Sequence, residues 1–105
     1  MVRNPGKPPV FGDPDGVPCG MAKGMTYDSR WLPLEPGGLV VLASDAACEL
    51  PLLSGGLLGQ DGFEKMLSGI ETGNPASFLG ELETQLLDLN KFDDDYTAIA
   101  VKRLS

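Results

Sequence analysis

Two groups of carboxylates bracket the second half of this 105-residue chain, and they are the residues best placed to do chemistry. The run Leu39-Val40-Val41-Leu42-Ala43-Ser44 is apolar until it stops at Asp45, and Asp93-Asp94-Asp95 opens a second apolar run from Tyr96 to Val101. Both runs have the length and the β-branched or small apolar content of strands. If they pair antiparallel, the end of the first lies beside the beginning of the second. Asp45 and Asp93–Asp95 then meet at one edge of a sheet. Carboxylates gathered there repel one another unless a cation sits between them, and a hard cation such as Mg2+ or Mn2+ prefers oxygen ligands. Taken singly, each group also has a plain reading: Asp45 as a loop carboxylate, Asp93–Asp95 as a solvated turn.

Other chemistries find less support. The chain has no His, which removes imidazole general bases, Ser-His-Asp triads and most zinc sites. Its two cysteines, Cys19 and Cys48, form no CxxC pair. Cys48 follows an apolar strand and reads as a small buried hydrophobe, with a Cys19–Cys48 disulfide or a reactive thiol as the alternatives. Ser54-Gly55-Gly56 and Gly59-Gln60 lack the spacing of a phosphate loop. Asp13-Pro14-Asp15-Gly16 is too short for a calcium loop and reads as a turn. Lys and Arg number 8 against 15 Asp and Glu, a formal charge of -7 without a basic patch, so nucleic acid and an anionic membrane surface are excluded as expected partners. The opening Met1-Val2-Arg3-Asn4-Pro5 leads into no apolar leader, and no apolar run nears the ~20 residues that span a bilayer. The expectation is a soluble, cytoplasmic protein.

The elements that must position the carboxylates follow from periodicity. Glycine and proline concentrate before Gly38, so residues 1–38 read as a turn-rich hairpin region. Within it, Val10-Phe11 and the turn at Asp13–Gly16 suggest a small hairpin. Met25 to Leu34 is a plausible strand that carries Tyr27 and Trp31 on one face. Glu35-Pro36-Gly37-Gly38 is a turn leading into the Leu39–Ser44 strand, and so into a second hairpin. Asp61 is a candidate N-cap for a helix with Phe63, Met66, Leu67 and Ile70 at i, i+3, i+4 and i+7, ending near Gly73. Asn74-Pro75 offers an N-cap and an N1 proline for a second helix. Its apolar stripe is Phe78, Leu79, Leu82, Leu86 and Leu89, with Glu81, Glu83 and Asp88 turned outward, and it runs to about Asn90. Both stripes read as core packing. The closing strand is apolar or uncharged on both faces, the pattern of a strand central in its sheet.

The order of these motifs resembles that of the metal-dependent PPM-type serine/threonine phosphatases, in particular the bacterial branch typified by stage II sporulation protein E. Leu34-Glu35-Pro36-Gly37-Gly38 and Ser44-Asp45-Ala46 stand where that branch has Leu-x-Pro-Gly-Asp and Ser/Thr-Asp-Gly. Leu58-Gly59 through Leu67 is similar to its Phe/Leu-Gly step and short helix. Asp94-Asp95-Tyr96-Thr97-Ala98-Ile99 is similar to its closing Asp-Asp-x-Thr strand, and Asn4-Pro5-Gly6-Lys7-Pro8-Pro9 looks like a worn Ala-Gly-His-Pro-Pro segment. The resemblance implies an α+β fold: half of an αββα sandwich, with antiparallel strands and two helices inserted before the last strand. It implies a single partial domain over residues 1–105, the carboxyl-terminal half of the family fold. It also implies that Asp45 and Asp94 are ligands of Mg2+ or Mn2+ ions that activate a water to attack a phosphoryl group.

Departures from the pattern qualify the function. The family's amino-terminal Glu-x-Asp and Gly-Asp motifs have no counterpart here, Ala46 replaces a glycine, and Lys7 stands where the branch has His. The expectation is a phosphoprotein phosphatase lineage, inactive unless completed by the missing half. The alternative is a non-catalytic protein-interaction or oligomerisation module derived from that fold. A half-fold leaves sheet edges and one apolar face uncovered, so a homo-oligomer is expected, with Tyr27 and Trp31 as candidate contacts.

Overall fold

A sheet with one face that water cannot reach organises the chain, and its middle strand supplies the residues that close that face. The computed structural model describes residues 1–12, 23, 24, 26 and 31–105. Five elements follow in order: β1 (Val2–Arg3), β2 (Leu39–Ala43), α1 (Gly59–Ser68), α2 (Pro75–Leu89) and β3 (Ala98–Lys102). Among the described residues the sheet has strand order β1-β2-β3, and both pairings are antiparallel. This is the expected α+β arrangement, with the two helices inserted between β2 and the last strand and packed on one side of the sheet.

Alternation along β2 divides its side chains between two environments. Leu39 and Val41 are buried and face the helices, whereas Leu42 is 62% exposed on the opposite face. The register sets Val41 opposite Ala100 and Leu42 opposite Ile99, so β3 repeats the division. Ile99 and Val101, at 53% and 54%, join Leu42 on an open apolar face. The closing strand is therefore apolar on both faces without being central: among the described residues it is an edge strand, as β1 is, and β2 holds the middle. Apolar content on two faces reports two dry or drying surfaces, not the number of hydrogen-bonded neighbours, and this is why the expected placement fails.

The helices form where their caps and stripes require. Asn74 accepts a hydrogen bond from the Ser77 N–H at 3.1 Å through Oδ1, and Pro75 occupies the first helical position. Phe78, Leu82 and Leu86 of α2 are sealed from solvent, and Phe63 and Leu67 of α1 with Ile70 complete the core. Each such side chain contributes about 1.5–3 kcal/mol by burial. Helix α1 differs from expectation at both ends. It begins at Gly59, with Asp61 in its first turn rather than at the cap, and it stops at Ser68 instead of near Gly73. Arg3 explains the early stop. Its guanidinium donates to the Ser68 and Ile70 carbonyls at 3.2 and 3.3 Å, which satisfies acceptors that would otherwise ask for another turn.

The first 38 residues hold the largest corrections. Val10 bridges to Val2 through a turn at residues 5–7, so the small hairpin pairs the chain's start with itself. The expected turn at Asp13–Gly16 lies outside the described residues. Residues 31–35 form no strand, and the partner of β2 on that side is β1 instead. The remainder of the expected Met25–Leu34 strand, Tyr27 included, lies outside the described residues except for Thr26, which is in no strand. Trp31 is 96% exposed. The Glu35–Gly38 turn forms as expected: Gly38 N–H donates to Glu35 O at 2.8 Å, and Gly37 takes φ +82 after Pro36, the combination of a type II turn.

Packing against α2 should dominate stability. Replacing Leu82 by Ala is expected to cost about 2–5 kcal/mol. The same change at half-exposed Leu87 should stay within about 1 kcal/mol. Urea unfolding followed by circular dichroism measures both, and equal losses would mean that the stripe at Phe78, Leu82 and Leu86 is not the core.

Candidate functional site

The candidate site lies where β2 ends and the turn before β3 begins. Continuing the β2–β3 register past Ala43 and Ala98 sets Ser44 opposite Thr97. Ser44 N–H donates to Thr97 O at 2.8 Å, but Thr97 N–H turns to the Ser44 hydroxyl at 3.0 Å instead of to its carbonyl. The same hydroxyl donates to Asp95 O at 3.4 Å. One side chain thus ends the ladder and ties the acidic turn to the exit of β2. Relative to expectation β2 ends one residue early, at Ala43, and β3 starts two residues late, at Ala98, while running one residue further, to Lys102.

Asp45 follows immediately, exposed, and its carbonyl accepts the Glu49 N–H at 2.9 Å, which closes a tight turn over residues 45–49. Ala46 and Ala47 anchor that turn in the core. The Cys48 carbonyl then accepts from Gly59 N–H at 2.7 Å, and Gly59 adopts φ +77, a left-handed conformation that L side chains rarely take. Glycine after Leu58 is what lets the chain enter α1 directly from this turn. Across the ladder, Asp94 is exposed, and its Oδ1 accepts the Asp95 N–H at 2.8 Å. Just beyond it, the Phe92 and Tyr96 rings stack with centroids 4.6 Å apart, and the Tyr96 hydroxyl is buried without a hydrogen-bond partner. Burial raises the Tyr96 phenol above its ordinary pKa, with Glu83 adding to the shift.

The sequence-derived residues therefore divide. The segments carrying Asp45 and Asp94 are brought together by Ser44. Lys7 is not: it pairs with Glu35, and Asn4 donates to Pro33 O while its Oδ1 accepts from Glu35 N–H, all at the far end of β2. Asp13, Asp15 and Cys19 lie outside the described residues. Cys48 is a free, half-buried thiol. Burial raises its pKa, and Glu64, Asp45 and Glu49 add to the rise in that order.

A cleft of ≈ 470 Å³ opens beside Asp45, and periodicity alone did not reveal it. Phe11, Val41 and Phe63 line its floor, while Asp45, Glu49 and Glu64 supply its charge. These residues come from three separate stretches of the chain, so only the fold assembles them. No Lys or Arg side chain is among its described lining residues; the cation there is the Met1 ammonium, which donates to Val41 O at 2.9 Å and stands against three carboxylates. Carboxylate oxygens suit a hard divalent cation in kind. In number they fall short, because among the described residues no three His, Cys, Asp or Glu side chains gather as a metal site.

A family model described as Stage II sporulation protein E (SpoIIE) matches residues 1–104. No curated protein and no solved structure matches the chain.

Two measurements check this geometry. Ser44→Ala removes the acceptor of Thr97 N–H and should cost about 1 kcal/mol in urea unfolding; no loss would mean that water replaces the hydroxyl at no cost. For Cys48, the folded pKa is raised, so its stabilising contribution is full below the unfolded thiol's pKa and is lost as pH rises through the folded value. The pH profile of iodoacetamide alkylation should accordingly inflect at higher pH in the native chain than in the urea-unfolded one. Coincident inflections would show that neither burial nor the acidic surroundings raise the thiol's pKa.

Proposed function

The chain belongs to the stage II sporulation protein E family, and from that membership we propose that it is a phosphatase-related module contributing Asp45 and Asp94 to a Mg2+ or Mn2+ site that acts on a phosphoprotein. The observation that carries this reading is the β2–β3 register. It places two carboxylate-bearing segments, distant in sequence, on either side of the Ser44 clamp. A charged residue leaving an apolar strand is costly without solvent or a partner, and here both carboxylates stay at the surface, available to a cation.

Two carboxylates are too few to fix a pair of metal ions in a reactive geometry. Further oxygen donors must come from outside the described residues, and no hydrolytic step follows from Asp45 and Asp94 alone. The acidic cleft points the same way, because its three carboxylates outnumber the Met1 ammonium and disfavour a phosphate until further positive charge is supplied. A non-catalytic interaction role is the second reading, and the open apolar face at Leu42, Ile99 and Val101 favours it.

Purified by itself, the chain should show no appreciable hydrolysis of a phosphomonoester in Mn2+ buffer. It should still bind Mn2+ weakly, as read by electron paramagnetic resonance of the free ion, and Asp45→Asn and Asp94→Asn should each weaken that binding several-fold. Asp88→Asn, on the outer face of α2, should not. Mn2+-dependent turnover abolished by Asp45→Asn would refute the incomplete site, and identical Mn2+ binding in all three variants would refute the assignment of ligands.

A further inference from the structure

The outer edge of β3 is polarised in a way that β2 does not use. Thr97 and Arg103 direct their backbone groups to the neighbouring strand: Ser44 N–H donates to Thr97 O at 2.8 Å, Arg103 N–H to Gly38 O at 2.9 Å, and Gly37 N–H to Arg103 O at 2.7 Å. Backbone groups alternate sides along a strand, so Ala98, Ala100 and Lys102 turn theirs to the edge that has no strand partner among the described residues. The edge has no proline, and its register with β2 is unbroken from Ala98 to Lys102. Natural edges are ordinarily blunted by such devices, and here only the terminal Lys102 serves. Asp93, Asp94 and Asp95 stand before the strand, and Lys102 and Arg103 stand at its end. Lys102 Nζ donates to Gly73 O, and Arg103 to Leu34 O and Ser105 O. Among the described residues the salt bridge is Lys7–Glu35, and no described Asp or Glu side chain pairs with Lys102 or Arg103.

We propose that β3 pairs with β3 of a second copy, antiparallel about a two-fold axis at Ala100, to form a six-stranded sheet. A strand with an acidic head and a basic tail is complementary to itself when run antiparallel, and a two-fold axis satisfies both ends at once. In this register Ala98 lies opposite Lys102 of the second copy, and Ile99 lies opposite Val101 of the second copy. Arg103 of the second copy then lies opposite Thr97, two positions from Asp95, so each acidic turn approaches the other copy's basic end. The apolar pairs Leu42–Ile99 and Val40–Val101 then continue as one strip across the joint. The chain's net charge of -7 opposes association in general, so this local match of opposite charges selects the edge at which two copies meet.

Sedimentation equilibrium of the full chain at low salt, over about 1–100 µM, tests the pairing. The wild-type chain should form dimers. The double variant Lys102→Glu/Arg103→Glu is acidic at both ends, and Asp93→Lys/Asp95→Lys is basic at both ends. Each alone should be monomeric, with dimerisation weakened at least ten-fold, and an equimolar mixture should dimerise again. A wild-type monomer throughout the range, homodimers of either variant, or a mixture that stays monomeric would overturn the proposal. Ala100→Pro provides a route that alters no charge. Its N–H faces away from β2, a position where an edge strand tolerates proline, so the variant should keep the native circular dichroism and lose the dimer. A folded Ala100→Pro that still dimerises would overturn the proposal as well.

Discussion

Everything in this molecule depends on the antiparallel ladder between β2 and β3. The two strands are separated in sequence by both helices, so closing the ladder fixes where the helices must lie and which of their faces turns inward. Leu39 and Val41 make one side of the ladder apolar enough to need cover, and the sealed stripe Phe78, Leu82 and Leu86 supplies it. The same register brings Ser44 against Asp95 and Thr97, so the candidate site results from core packing rather than from any separate device. A one-residue slip would turn Leu39 and Val41 to solvent and separate Ser44 from Thr97 together.

How far the sequence revealed this depends on the length of each signal. The ladder, the carboxylates at its end, the Glu35–Gly38 turn and the start of α2 at Asn74-Pro75 were legible, because apolar runs, proline and positive-φ glycine each impose a local geometry that tertiary context seldom overrides. Strand β1 was not legible: at Val2–Arg3 it is too short to show a period, and only its pairing with Val40 and Leu39 defines it. That hidden strand displaced the expected Met25–Leu34 partner. Arg3 likewise set the end of α1 from more than sixty residues away, a tertiary bond with no local signature. Asp45 and Asp94 stood out because charge beside an apolar run is conspicuous. Ser44, which joins their segments, did not, since a serine at a strand end reads as an ordinary boundary. Glu49 and Glu64 reach the cleft only through the fold.

The acidic character of the site has a consequence for its chemistry. Negative groups crowd one end of the sheet, and the nearby Cys48 thiol holds its proton more tightly, first through burial and then through those charges. Surroundings that disfavour a thiolate also disfavour a phosphate ester, unless a cation inverts the local field. The electrostatics of the described lining thus accord with the proposal that a cation is brought to this site. Asp45 and Asp94 are the proposed means of accepting that charge, and in the described lining three carboxylates stand against the single Met1 ammonium.

The positive charge the chain does have near the sheet is placed elsewhere, and the distribution is instructive. Arg3 serves the end of α1, Lys7 pairs with Glu35, and Lys102 and Arg103 sit at the end of β3 opposite the acidic turn. Strand β3 therefore separates the two signs by its own length, about 17 Å for five residues. At that distance the ends are beyond a Debye length at physiological salt and cannot neutralise one another within one strand. An antiparallel neighbour carrying the same sequence removes the separation, because each acidic end then lies against a basic one. The strand that presents the candidate metal ligand at its start is thus also the strand whose edge is built to meet its own copy.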